Sequence, residues 1–272
     1  MICLLHFLLG LDFRRLFFLL EFRFAAFESK TRGTRGSTAN SERRWMRKVI
    51  GAAFVSLDGV MQAPGGPEED PTGDFALGGW LPHYGDEEIG QRIGALFDQP
   101  FDLLLGRRTY EIFAAYWPFV TGEEKGSAED REIGQKFDRA AKFVLTHGDQ
   151  PLDWQNSHRL ANLDAVAEVK RSAGPNLIIQ GSSTLYPLLL TAGLIDQLIL
   201  MTFPVILGRG KRLFGDATPS RSLRMVEHRV TQGGNIIATY EPNGDVQTGS
   251  FLTIEPSTNE LVRRRRMAEG TW

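Results

Sequence analysis

The chain has 272 residues, 42% hydrophobic and 24% charged, which is enough apolar material for a packed core and excludes bulk disorder. Lys+Arg number 31 against 33 Asp+Glu, a formal charge of -2, without the basic excess of a protein that lives on nucleic acid. The one cysteine, Cys3, excludes an internal disulfide framework and a cysteine-based zinc site.

Charge divides the chain. Residues 1–45 hold eight Arg/Lys and four acids, and residues 46–272 hold 23 and 29, so +4 is followed by -6. The first 27 residues carry seven Phe, but their longest uncharged run, 1–11, falls short of the roughly 20 apolar residues that span a bilayer. The basic residues follow that run, whereas a secretory signal places them before it. An interfacial amphipathic helix is one reading. The preferred one is an extension outside the fold, with a polar linker at 28–45 and Met46 as the real start of translation. A domain then covers 46–242, and 243–272, with its arginine block at 263–266, reads as a solvated tail. A chain starting at Met46 is expected to unfold cooperatively, with a midpoint close to that of the full chain. Thermal denaturation of both forms checks this; aggregation, or a midpoint lower by tens of degrees, would place the extension in the core.

From Met46 onward the elements follow one another closely. Residues 48–57 (KVIGAAFVSL) predict a strand that Asp58-Gly59 ends with a turn. A Gly/Pro-rich loop covers 63–79. Residues 86–98 have helical spacing, with Ile89, Ile93, Leu96 and Phe97 on one side. The apolar run FDLLLG (101–106) predicts a buried parallel strand, and 109–116 a helix. AKFVLT (141–146) is a strand, 163–173 a helix, NLIIQ (176–180) a strand and 183–192 a helix stopped by Gly193. A long strand with Pro204 spans 195–207, and 222–230 with 235–241 form a hairpin around Gly233-Gly234. Strands alternating with helices predict an α/β layered fold with a mixed, mostly parallel sheet and an antiparallel hairpin at its edge.

Three strand ends share one character. In LLLGRRTYE (103–111), Gly106 lets the backbone approach a ligand, Thr109 is placed to cap the next helix, and Arg107 and Arg108 offer charge-assisted donors for a phosphate. An ordinary strand–turn–helix with surface arginines is the alternative. In IIQGSSTLY (178–186), Gly181, Ser182 and Ser183 sit at a strand-to-helix turn that suits a diphosphate; a simple serine cap is the alternative. In VLTHGD (144–149), Thr146 and His147 end a strand. Ligands of open α/β sheets bind outside the carboxyl ends of the strands, so three such ends together point to one extended nucleotide. The dinucleotide fingerprint GxGxxG is absent, so this is no ordinary Rossmann site.

With FVSLDG (54–59) and PVILGRGKRLF (204–214), these motifs resemble the dihydrofolate reductase superfamily across about 200 residues, in order. The likeness is greatest to the reductase (C-terminal) domain of the bifunctional bacterial riboflavin-biosynthesis deaminase-reductase. The resemblance implies a three-layer α/β/α fold, NADPH as hydride donor and often a homodimer. It implies that residues 106–109 hold the 2′-phosphate side of NADPH, Thr146 and His147 the adenine ribose, and Gly181, Ser182 and Ser183 the pyrophosphate. Ala53 and the SLDG turn, with Asp58 and Gly59, would face the nicotinamide and substrate. Two departures lie on the substrate side. The riboflavin-pathway reductases usually follow SLDG with a basic or hydroxyl residue and a Thr-Ala pair, and here Val60-Met61-Gln62 stands. They usually carry Glu before the glycine of the pyrophosphate loop, and here it is Gln180. The deaminase half, with its His/Cys/Cys zinc site, is missing.

The expected chemistry is hydride transfer from NADPH to a C=N bond of a pyrimidine- or pterin-like small molecule, in the cytoplasm, with no resident metal. Asp58 is the first choice for orienting substrate or relaying a proton; its alternative role is simply to make the Asp-Gly turn. Asp86 and Glu87 are second choices, with favourable charge at a helix N-terminus as their alternative. Trp80 and Trp117 either wall the pocket or belong to the core. A pterin reductase, or an NADPH-binding protein without turnover, are the competing functions.

Overall fold

The apolar runs of the sequence become the centre of a single sheet. In a computed structural model, which describes residues 46–122 and 126–272, eight strands are ordered β4-β3-β2-β5-β1-β6-β8-β7. In chain order, the elements are β1 (Val49–Ser56), α1 (Glu87–Phe97), β2 (Phe101–Gly106), α2 (Arg107–Ala114), α3 (Ala128–Arg139), β3 (Lys142–Leu145) and β4 (Ser157–Leu160). They continue with α4 (Leu163–Arg171), β5 (Asn176–Gln180), α5 (Leu185–Thr191), β6 (Gln197–Phe203), β7 (Leu223–Val230), β8 (Ile236–Pro242) and α6 (Thr258–Ala268). Six strands run parallel; β8 pairs antiparallel to both β6 and β7. The expected mixed sheet with a closing hairpin is therefore present. The extension at 1–45 lies outside the described residues.

Strand residues alternate between two cores, as the period of two requires. Val49, Ala53, Leu104, Leu177, Ile179 and Leu198 pack on one face with Val166 of α4 and Leu185 and Leu189 of α5. Ile50, Ala52, Leu103, Leu105, Ile178 and Ile199 pack on the other with Phe97 of α1, Tyr110 of α2 and Phe137 of α3. Helices thus cover both faces, making three layers. Fully burying each of the Val, Leu, Ile and Phe side chains stabilises by about 1.5–3 kcal/mol. Gly51 lets α5 come close: a methyl there would stand 2.6 Å from Tyr186 Cε1 and 2.9 Å from Leu198 Cδ2.

Four elements differ from expectation. The helix α3 has few apolar residues; its signal is the capping box, in which Ser127 Oγ accepts from the Asp130 amide and Asp130 accepts from the Ser127 amide. The strand β4 is a short, mostly exposed edge. Part of the expected tail forms α6, capped by Ser257 and tied by Glu260 to Arg263 and Arg264, with no buried residue. The strand β6 also ends at Phe203, because Pro204 has no amide to give the ladder.

Candidate active site at the carboxyl edge of the sheet

Unequal strand lengths open a notch at one edge. The short β5 makes its last pairs through Ile178 with Leu103 of β2 and through Gln180 with Ala52 of β1. Its neighbours go on without it. The strand β2 stays paired with β3 up to Gly106–Leu145, and β1 stays paired with β6 up to Ser56–Phe203. Two strand spacings separate β2 from β1, so the notch is roughly 10 Å across. Gly181 and Ser182, at φ 81° and 63°, turn the chain away and form its floor.

The expected motifs meet here in spatial order. Thr146 and His147 follow β3, residues 106–109 follow β2, Gly181, Ser182 and Ser183 follow β5, and the SLDG turn follows β1. Two of the loops touch. The Gly106 amide donates to Ser182 Oγ at 2.8 Å, and a methyl at 181 would lie 3.0 Å from Thr109 Cγ2. The helix α2 begins earlier than expected. Gly106, extended at φ -81°, is its N-cap, and Thr109 sits inside the first turn and caps nothing. The helix α5 opens later than expected, at Leu185 rather than at Ser183.

The two arginines differ. Arg107 Nε pairs with Glu111 Oε1 at 2.7 Å, and its Nη1 donates to the carbonyls of Gln150 at 3.0 Å and Pro151 at 3.2 Å. Arg108 is exposed and makes no side-chain hydrogen bond or ion pair among the described residues. Thr146 is buried and its hydroxyl accepts from the Gly148 amide, whereas His147 is exposed.

The residues expected on the substrate side are more committed than the sequence implied. Asp58 accepts from Ser56 Oγ at 2.7 Å and from the amides of Leu207 at 3.0 Å and Gly208 at 2.9 Å; Arg212 Nη2 stands 3.6 Å away. Burial pushes its carboxyl up, but the bonds from Ser56, Leu207 and Gly208 outweigh this and hold it below the ordinary value. Asp86 caps α1 through the Ile89 amide and takes Thr231 Oγ1 at 2.5 Å and Asn235 Nδ2 at 2.8 Å from the β7–β8 hairpin. Burial again acts upward, and those donors win. Both carboxylates thus tie elements of the chain together, which sequence reasoning missed for want of their distant partners. Glu87 is exposed on α1 and accepts from Gln91 Nε2.

The indole of Trp80 is only 6% exposed, edge-on to Phe203, with Nε1 donating to the Gln62 carbonyl, so it belongs to a core cluster. Trp117 packs against Phe137 in the core on the helix α3 face. The Ala53 methyl is likewise enclosed in the core. Gln180 and Gly59 are half-buried at the edge. Gln62, which the sequence marked as a departure, is a buried hub: Nε2 donates to the Asp70 and Thr72 carbonyls, and Oε1 accepts from the Lys211 amide.

Two surface concavities lie elsewhere, one beside α6 at Val262 and Trp272, the other at the opposite sheet end near Arg47 and Gly174. Neither gathers the glycines, hydroxyls and cations that line the carboxyl edge, so the edge is the candidate site.

Comparison with known proteins agrees with this architecture. The proteins YyaP and YwjB of Bacillus subtilis (strain 168), both named as uncharacterized, are 25% identical over 199 residues and 28% identical over 184. The alignments cover 73% of this chain and 96% of YyaP, and 66% of this chain and 89% of YwjB. A putative riboflavin biosynthesis protein from Shewanella sp. PV-4 has the same fold, with a TM-score of 0.53 at 18% identity over 72% of this chain and 99% of that one. Residues 47–237 match the RibD C-terminal domain, the reductase branch that the motifs resemble, and the chain belongs to that family.

Proposed function

We propose that this protein is an NADPH-dependent reductase that delivers hydride to a C=N bond of a pyrimidine- or pterin-like substrate, resembling the phosphoribosylaminouracil reductase of riboflavin biosynthesis, whose substrate takes hydride at C1′ of its ring-opened ribose imine. One observation carries the reading: four ligand-friendly turns stand in line around a notch at the carboxyl edge, in a member of the RibD C-terminal domain family. The residues fit the cofactor. No side chain caps α2 and no acid stands in its first turn, so its free amides and Arg108 are suited to a phosphate. Gly181 keeps the notch floor free of a side chain. NADPH, when bound, supplies the hydride. Arg107, Arg108 and Thr109 belong to its 2′-phosphate end, Thr146 and His147 to the adenosine ribose, and Gly181, Ser182 and Ser183 to the pyrophosphate. The backbone at Ala53 and the SLDG turn belong to the nicotinamide. Asp58 and Asp86 then act as positioning residues that hold the rim.

One observation favours a changed substrate. Val60, Met61 and Gln62 are all buried, so the positions after the SLDG turn offer no free basic or hydroxyl group to a ribosyl phosphate. A pterin, or NADPH binding without turnover, is the second reading. NADPH binding by calorimetry, followed by NADPH oxidation with the ribosylaminopyrimidine and with dihydrofolate, decides among them. Oxidation with the pyrimidine supports the first reading, and oxidation with dihydrofolate alone supports a pterin reductase. Binding without oxidation marks a non-catalytic protein, and no binding overturns the proposal. We assign the protein to the cytoplasm as a homodimer, to be checked by the sedimentation mass of the full chain. Among the described residues no helix is long and apolar enough to cross a membrane.

A further inference from the structure

The strand β7 is the last of the sheet and pairs with β8 alone. At the hairpin turn the Thr231 amide donates to the Asn235 carbonyl. Backbone direction alternates along an antiparallel strand, so Glu227, Arg229 and Thr231 turn their amides and carbonyls toward β8, and His228 and Val230 turn theirs outward. Such a row is a template for another strand. It is also firmly held. Arg229 pairs with Glu88 of α1, and Thr231 and Asn235 donate to Asp86 at the start of the same helix.

The side chains divide between two faces. Glu227 and Arg229 stand opposite Thr239 and Ile237, on the α1 side; His228 and Val230 stand opposite Ala238 and Ile236, on the other. That other face is apolar and open: Val230 is 64% exposed, Ile236 42% and Met225 50%. Edge strands are often blunted by bulges and charges. Here the bulge lies at Met225–Glu227, before the regular stretch 227–230, and the charges on that stretch have both signs. Glu227 is exposed and makes no ion pair among the described residues.

The order of those charges selects an occupant. In an antiparallel ladder, residues that turn their backbone outward face one another, so a two-fold axis between two copies of β7 must fall on a residue. An axis on Glu227 sets two carboxylates face to face, and one on Arg229 sets two guanidinium groups together. An axis on His228 sets Glu227 against the partner's Arg229, and Arg229 against the partner's Glu227. It also sets Val226 and Val230 of each copy against Val230 and Val226 of the other, and it is centred on an outward-turned residue, as a hydrogen-bonded pair requires.

We propose that the β7 edge is the interface between two copies of this chain, which pair antiparallel about His228 and continue one sheet across the two-fold axis. This rests on the homodimer reading above and deepens it by naming the surface and its register.

Sedimentation of the full chain at micromolar concentration tests it. Wild type is expected to run as a dimer. Glu227→Arg and Arg229→Glu each turn two attractive pairs into two repulsive ones, and each should raise the dimer dissociation constant about 10- to 100-fold. Mixed one to one, the two variants again oppose Arg to Glu at every charged pair, and the dimer mass should return. His228→Pro removes an outward amide and spares the β8 ladder, so it should give a folded monomer. Glu88→Gln, which breaks the same intrachain pair as Arg229→Glu, should remain a dimer. Single variants that stay dimeric overturn this surface and leave the homodimer reading standing. Single variants whose mixture stays monomeric overturn the register. A monomeric wild type overturns the homodimer reading as well, and leaves the edge to another occupant.

Discussion

Gly181→Val is expected to abolish the stabilisation of the protein by NADPH and to weaken the fold itself. Gly181 has φ 81°, a region that a β-branched residue tolerates badly, and its neighbour Ser182 already occupies the same region at 63°. A Cβ at 181 would stand 3.0 Å from Thr109 Cγ2 and 3.4 Å from Thr109 Oγ1, and the two γ-methyls of valine add to the crowding. Left-handed strain and overpacking together cost roughly 2–4 kcal/mol. The Gly106–Ser182 hydrogen bond holds the two loops together, so the clash cannot be relieved by moving one of them alone. Unfolding measured with and without NADPH separates the two effects. A ligand at a hundredfold excess over Kd adds about 2.7 kcal/mol to the folded state that binds it. Wild type should show that shift and a folded Gly181→Val none. Combining Gly181→Ala with Thr109→Ser, which removes the opposing methyl, should recover part of the stability lost in Gly181→Ala alone. A folded Gly181→Val chain with the full NADPH shift would move the pyrophosphate, and the cofactor site with it, away from the notch.

The same residue shows what could be read from sequence. FDLLLG and NLIIQ are apolar on both faces, so β2 and β5 were legible to the residue, and Gly106 at the end of one and Gly181 after the other marked the edge proposed here as the ligand site. The notch was not legible, because it arises from β5 pairing for fewer residues than β1 and β2, a property of register between distant segments. The helix α3 was missed because its apolar face is narrow, and α6 because it buries nothing. Thr109 looked like a cap because threonine after a turn favours that place. The chain instead passes directly from strand to helix at Gly106, which serves both.

At the site, residue types announced what each side chain is able to do and not what already occupies it. Arg107 reads as a phosphate donor until Gln150 and Pro151, 43 and 44 residues on, are found to hold it. Asp58 reads as an acid in a turn until Leu207 and Gly208, 149 and 150 residues on, are seen to fill its oxygens. Polar groups that must be satisfied on burial choose partners through the fold, and local pattern is blind to them.

Asp86→Ala should unhook the β7–β8 hairpin from α1. The carboxylate accepts from the Ile89 amide at 3.0 Å, Thr231 Oγ1 and Asn235 Nδ2, and Thr231 and Asn235 are 5% and 0% exposed. Loss of an N-cap costs about 1 kcal/mol and a buried donor left without an acceptor about 1–3 kcal/mol; Asn235 keeps its bond to the Tyr84 carbonyl and Thr231 loses its acceptor, so the variant should lose roughly 2–4 kcal/mol. A side chain at Gly233 attacks the same joint, since a methyl there would lie 2.7 Å from Asp86 Oδ2. Asp86→Asn keeps a good cap but sets an amide against the Asn235 amide, and should lose about 1–2 kcal/mol. The native carboxyl lies below the ordinary carboxylate value, so its contribution is complete above about pH 4 and is lost as pH falls through the lowered native pKa. The stability gap between wild type and Asp86→Asn, measured by urea unfolding, should therefore be constant near neutrality and close in acid. Turnover separates this joint from a proton donor. A donor role predicts an Asp86→Asn chain that is nearly as stable as wild type and inactive toward every substrate that wild type reduces. The joint predicts retained turnover in Asp86→Asn and a lower unfolding midpoint in Asp86→Ala, because the carboxylate acts through the hairpin it holds and not through the atoms that react.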